Sequence, residues 1–151
     1  MSTIQPPRGY LASVFGCYCP RCREGKLFKN KVTAKINRNV DMHEQCPVCG
    51  QITDIEVGFY YGTGYVSYML AVIVSGITFV AWWLFIGFSF SDNRFGWWIG
   101  INAVLLILLQ PWLMRLSRSL WISWFVRYDP HWKENSPTHY ERIVKEHMGN
   151  W

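Results

Sequence analysis

Val66–Phe90, VSYMLAVIVSGITFVAWWLFIGFSF, is a run of 25 residues whose only ionisable side chain is a tyrosine. As a helix it covers about 37 Å at about 1.5 Å per residue, against a bilayer hydrocarbon core of about 30 Å. A second uncharged run, Phe95–Met114 (FGWWIGINAVLLILLQPWLM), follows, made less uniform by Asn102, Gln110 and Pro111. Only Ser91-Asp92-Asn93-Arg94 separates the two. A link that short joins two helices as a tight antiparallel hairpin, so membrane spans of about 66–90 and 95–114 are expected within a unit covering 65–114. Trp82, Trp83, Trp97, Trp98 and Trp112 gather towards the span ends, with Trp82 and Trp83 somewhat deeper. Amphipathic indoles prefer the membrane interface.

Beyond the second span, Leu113, Leu116, Leu120 and Trp124 recur at helical spacing, with Arg115, Arg118, Ser119 and Ser123 on much of the other side. That pattern predicts an amphipathic or interfacial helix over 115–128, either leaving the bilayer or lying on its surface. Asp129-Pro130 breaks it. A tail over 129–151 follows, with a short helix opened by Ser136-Pro137, supported by the pairs Glu141/Lys145 and Arg142/Glu146, and stopped by Gly149.

On the other side of the hairpin, a short segment (1–14) precedes a compact cysteine module (15–60). The first twenty residues contain two adjacent prolines and no apolar core of the kind a signal peptide needs. The module holds Cys19-Pro-Arg-Cys22 and, 23 residues later, Cys46-Pro-Val-Cys49-Gly50. A two-residue gap lets both thiolates of a turn reach one cation, and two such knuckles around one ion make a zinc ribbon. Gly50, and in a similar way Gly25, fit bends after each pair. Thr33–Ile36 and Met42–Gln45 are expected as strands joined by a turn at Asn37–Asn39, and the largely alternating Ile52–Val57 as a further strand. Zinc held by Cys19, Cys22, Cys46 and Cys49 is the expectation, with iron in a rubredoxin-like site as the alternative. Four thiolate ligands leave no open position, which predicts a structural site rather than a catalytic one. Cys17 reads as a bystander thiol and His43 as a solvent-facing strand residue.

The charge distribution orients the chain. Of 151 residues 17 % are charged, below the usual quarter, and the net charge is +5. Arg115, Arg118 and Arg127 follow the second span, and a basic cluster runs from Arg21 to Arg38. Both termini are therefore expected in the cytoplasm, which also keeps the thiols reduced. The spans carry no Asp, Glu, His, Lys or Arg, so neither an enzyme nor a transporter is expected. Three functions remain: a non-enzymatic accessory protein whose hairpin packs on a larger complex through Gly76, Gly87, Gly96 and Gly100; a factor exchanging metal through its cysteines, Cys17 included; and a membrane-tethered nucleic-acid-binding zinc ribbon. The last is disfavoured because Phe28 is the only aromatic residue between the knuckles. The bilayer is the first expected partner and a homo-oligomer a possible assembly.

The order CPRCREGKLF, CPVCG, Gly62-Thr63-Gly64-Tyr65, hairpin and Arg127-Tyr128 resembles the bacterial membrane family called domain of unknown function 983, over roughly residues 15–130. The resemblance implies a multi-pass protein of the bacterial inner membrane. Family members are often encoded beside haem–copper oxidase and oxidase-assembly genes, which implies an accessory or assembly role in respiratory complexes; no activity is established for them. The chain departs from the family pattern in having Thr63 where Gly-Asp-Gly is usual, and in a longer stretch over Lys29–Val40.

Overall fold

The computed structural model describes residues 8–87 and 92–137. Its elements in chain order are a short helix α1 (Tyr10–Phe15), a single helical turn α2 (Ile36–Asn39), a 3-10 turn (Phe59–Gly62) that runs into α3 (Thr63–Phe85), and α4 (Arg94–Phe125). The tail helix expected beyond Pro137 lies outside the described residues.

Helices α3 and α4 are long and apolar enough to cross a membrane. They pack together with antiparallel register: Ser75 meets Asn102, and one turn on Phe79 meets Trp98 edge-on at 5.2 Å. Asn102 ties the pair. Its Nδ2 donates to Ser75 Oγ at 3.0 Å, and the Thr78 hydroxyl lies 3.0 Å from its Oδ1. The residue that interrupts the second apolar run thus spends its polar atoms on the facing helix. Large apolar side chains on the outer faces, among them Ile77, Leu84, Phe85, Val104, Ile107 and Leu108, are exposed. A water-soluble fold rarely leaves so much contiguous apolar surface open. Gly76 and Gly100 also face open space, so they do not bring α3 and α4 together. At the turn, Arg94 donates to the Ile86 carbonyl at 3.0 Å and lies 3.6 Å from Asp92.

The two helices differ in length. The 23 residues of α3 give about 34 Å, whereas the 32 of α4 give about 48 Å and overrun a hydrocarbon core by about 18 Å. All the buried residues of α4 (Leu113, Arg115, Leu116, Ser117, Ser119, Ile122) sit in its last part. Of the two arrangements expected for 115–128, the chain therefore adopts the one in which the segment continues the second apolar helix, which ends at Phe125. Its polar face is as buried as its apolar one, because the cysteine module wraps around it. Ser119 Oγ donates to the Val14 carbonyl at 3.0 Å on one side, and Trp121 Nε1 to the Phe59 carbonyl at 2.8 Å on another. A Cβ at Gly62 would overlap the Trp121 indole, and the Thr63 hydroxyl is taken by the Tyr60 carbonyl at 2.6 Å.

The expected β module is reduced to three single-residue antiparallel pairings among the described residues: Tyr18 with Lys26, Phe28 with Met42, and Gln45 with Ile52. Met42–Gln45 does pair on both edges, but its partner is Phe28 rather than Thr33–Ile36. The turn expected at Asn37–Asn39 is helical, and its last residue explains why no hairpin forms. Asn39 is only 1 % exposed. Its Nδ2 donates to the Pro111 carbonyl at 2.6 Å and its Oδ1 accepts from the Thr33 amide at 3.2 Å, so the loop is held against α4 instead of in a ladder.

Candidate metal centre

The two knuckles are built alike. The amide of the residue after each second cysteine donates back to the first: Arg23 to the Cys19 carbonyl at 2.8 Å, Gly50 to the Cys46 carbonyl at 2.9 Å. Both residues take the left-handed conformation, with φ of 57° at Arg23 and 69° at Gly50. Glycine adopts it freely, an arginine at a cost. Gly50 therefore does what its position implied. Gly25 has a different duty. A Cβ there would overlap the Cys46 sulfur, so the two knuckles close on each other only because residue 25 has none. Its amide lies 3.5 Å from Cys22 Sγ.

Cys19, Cys22 and Cys46 are buried and Cys49 is half-buried. All four Sγ atoms lie within 4.8 Å of one another. Cys19 and Cys49 are 3.7 Å apart at sulfur, Cys22 and Cys46 3.8 Å. A disulfide would need about 2.05 Å. A tetrahedron of thiolates about 2.3 Å from its centre has edges of about 3.8 Å. The four residues could thus hold one metal ion. The crowding also perturbs the thiols. Hydrogen bonding from its sulfur neighbours, Cys19 first, drives Cys22 far down, and Cys46 is lowered to about 7 with Cys19 again the main cause. Cys19 is pushed up, chiefly by Cys22. A cation at the centre would remove this conflict.

The cluster is continuous with the apolar core. Leu27, Phe28, Ile55, Phe59, Ile122 and Val126 pack with the cysteines in one buried group. The core draws on both knuckles, on the chain entering α3 and on the end of α4. Arg21, between Cys19 and Cys22, is 4 % exposed and pairs with Asp129 at 3.3 Å. It also donates to the carbonyls of Asn135 at 2.8 Å and Ser136 at 3.0 Å. The chain after α4 is thereby fastened over the first knuckle. Asn135, the His131 amide and Arg21 hold the Asp129 carboxyl below the usual carboxylate range.

Several residues of the expected basic patch have partners within the chain. Arg23 lies 4.0 Å over the Tyr128 ring and donates to the Arg8 carbonyl, Lys26 faces Tyr18, and Lys29 pairs with Asp41 at 3.1 Å. Arg115 and Arg118, read as flanking charges of a span, hold module carbonyls. Arg115 donates to Asn39 (2.9 Å), Asn30 (2.6 Å) and Lys31 (3.0 Å), and Arg118 to Val40 (2.9 Å). Nothing local in the sequence signals these bonds, since the partners are 76 to 85 residues from Arg115 and 78 from Arg118.

Cys17 stands outside the four-sulfur group. Burial pushes its thiol up, against the pull of Arg115 and Lys26. His43 is half-buried and also outside the group; its amide donates to the Leu27 carbonyl, and its own carbonyl accepts from the Thr53 hydroxyl. The chain matches no family model, no curated protein and no solved structure.

Proposed function

We propose that this chain is an integral membrane protein carrying a structural zinc ion, and that it acts as a non-enzymatic accessory or assembly factor of a larger membrane complex of the respiratory-oxidase type. The metal assignment is carried by the two sulfur–sulfur edges of 3.7 and 3.8 Å, the size a tetrahedral zinc thiolate requires. Iron would accept the same four ligands. Membrane residence is supported by the two long apolar helices with exposed outer faces. The chain before α3 and the chain after α4 meet at Arg21 and Asp129, so they lie at the same end of the hairpin. With the thiols and the basic residues there, that end is assigned to the cytoplasm of a bacterial inner membrane.

The accessory role rests on the closed ligand set, on spans lacking ionisable groups, and on the resemblance to domain of unknown function 983. An exchange factor would want a reactive spare thiol, whereas burial keeps Cys17 protonated. A nucleic-acid ribbon would want a row of outward-facing cations, and Arg21, Arg23 and Arg118 are turned onto Asp129, Tyr128 and the Val40 carbonyl.

Elemental analysis of detergent-purified protein tests the site: one zinc per chain is expected, retained in Cys17→Ser and lost in Cys46→Ser. Chain without zinc or iron would overturn it. Purification in mild detergent tests the role. Co-purifying subunits of an oxidase are expected, and a homogeneous homo-oligomer would count against an accessory function.

A further inference from the structure

A cleft of about 520 Å³ opens where the module meets α4. Lys26, Lys29, Lys31 and Arg115 line it together with Phe28 and Trp112, and among the described residues no Asp or Glu does. We infer that this cleft binds the phosphate of an anionic phospholipid headgroup. The inference rests on the two-span reading of α3 and α4.

Charge is the first reason. Lys29 is paired with Asp41, which leaves Lys26, Lys31 and Arg115 to set the field. Arg115 is 6 % exposed, and among the described residues no carboxylate pairs with it. The carbonyls of Asn30, Lys31 and Asn39 satisfy its Nε and one Nη without neutralising it. A desolvated cation of this kind attracts an anion from outside.

Depth is the second. Trp112 sits where the uncharged stretch of α4 ends, and Arg115 is the first charge after it. Phe15 stacks on Trp112 with centroids 5.9 Å apart and planes 18° apart, extending an indole-level apolar rim. The loop carrying Lys31 is tied to Pro111 through Asn39 and exposes Val32 and Ile36 beside Lys35 and Arg38. Apolar tips among basic residues fit the boundary between acyl chains and headgroups. The cleft mouth is therefore level with lipid phosphates.

Inorganic phosphate offers the same chemistry, so the test separates the sources. Native mass spectrometry of the full chain in detergent, with its metal, would be titrated with phosphatidylglycerol, phosphatidylcholine and inorganic phosphate. One phosphatidylglycerol per chain is expected, bound about tenfold more tightly than phosphatidylcholine, as one good charge-assisted contact provides. Lys26→Gln with Lys31→Gln should erase that preference while retaining one metal per chain, whereas Lys35→Gln with Arg38→Gln should keep it. Equal occupancy by the two lipids, or an unchanged preference in the Lys26/Lys31 variant, overturns the site. Displacement of lipid by millimolar inorganic phosphate overturns the lipid assignment. Failure of the two-span reading shows separately, as a chain that stays soluble without detergent.

Discussion

Replacing Arg115 tests whether the end of α4 is a membrane-surface anchor or the post on which the cysteine module hangs. Its guanidinium makes three hydrogen bonds to loop carbonyls at 2.6 to 3.0 Å. Bonds from a charged donor contribute about 1.5–3 kcal/mol each, but the freed carbonyls of Asn30 and Lys31 would be rehydrated. Discounting for that, Arg115→Met should ease local opening of the loop over 29–40 by about 2–3 kcal/mol, a factor of about 30 to 150. The loop carries Lys31, Lys35 and Arg38, all exposed and open to trypsin once the segment lifts. Brief digestion of the purified protein, followed by mass spectrometry, would read the opening as a rise in cleavage at these residues. Arg115→Lys is the discriminating variant. A lysine keeps the positive charge that a membrane surface attracts, yet its compact ammonium lacks the guanidinium fork that reaches Asn39, Asn30 and Lys31 at once. Cleavage in Arg115→Lys should thus approach that of Arg115→Met. Protection equal to the parent protein in either variant would refute the account.

Gly25→Ala should cut metal retention against a chelator more severely than Gly50→Ala, because the first drives a methyl into the Cys46 sulfur while the second costs only the left-handed backbone, about 1–2 kcal/mol. Asn102→Leu should weaken the hairpin by about 0.6–2 kcal/mol in an unfolding titration from micelles, with metal content unchanged, since its bonds to Ser75 and Thr78 lie far from the cysteines. Chelation should expose the loop over 29–40 to trypsin while leaving the helical circular dichroism of α3 and α4 in place. Lowering the pH should do the same as protons compete for the thiolates.

The helix pair and the clustering of the four cysteines are legible because each depends on local pattern. An uncharged run long enough to cross a bilayer and a CxxC pair announce themselves within their own residues. The module's architecture was not. Leu113, Leu116, Leu120 and Trp124 form the stripe of an interfacial helix, and only the folded chain shows Leu116 and Ile122 inside a protein core. Arg115 and Arg118 carry the sequence signature of positively charged flanks, and their carbonyl partners are contributed by a distant loop. Thr33–Ile36 and Met42–Gln45 had acceptable strand composition, but Asn39 bonded Pro111 and Thr33 and took the loop out of register. Gly25 stands where a bend is expected and instead supplies clearance, a distinction that needs the neighbouring sulfur.

Helix α4 is one unbroken rod from Arg94 to Phe125, and the four-sulfur group is packed against its last turns. Pro111 lies within it, where the missing N–H removes one rung of helix bonding, yet Asn39 and Arg115 splint that joint from outside. Over the rod's length of about 48 Å, leaning by 5° sweeps the far tip through about 4 Å. The four-cysteine head thus sits at the end of a long lever arm whose other end is the apolar tip of the hairpin.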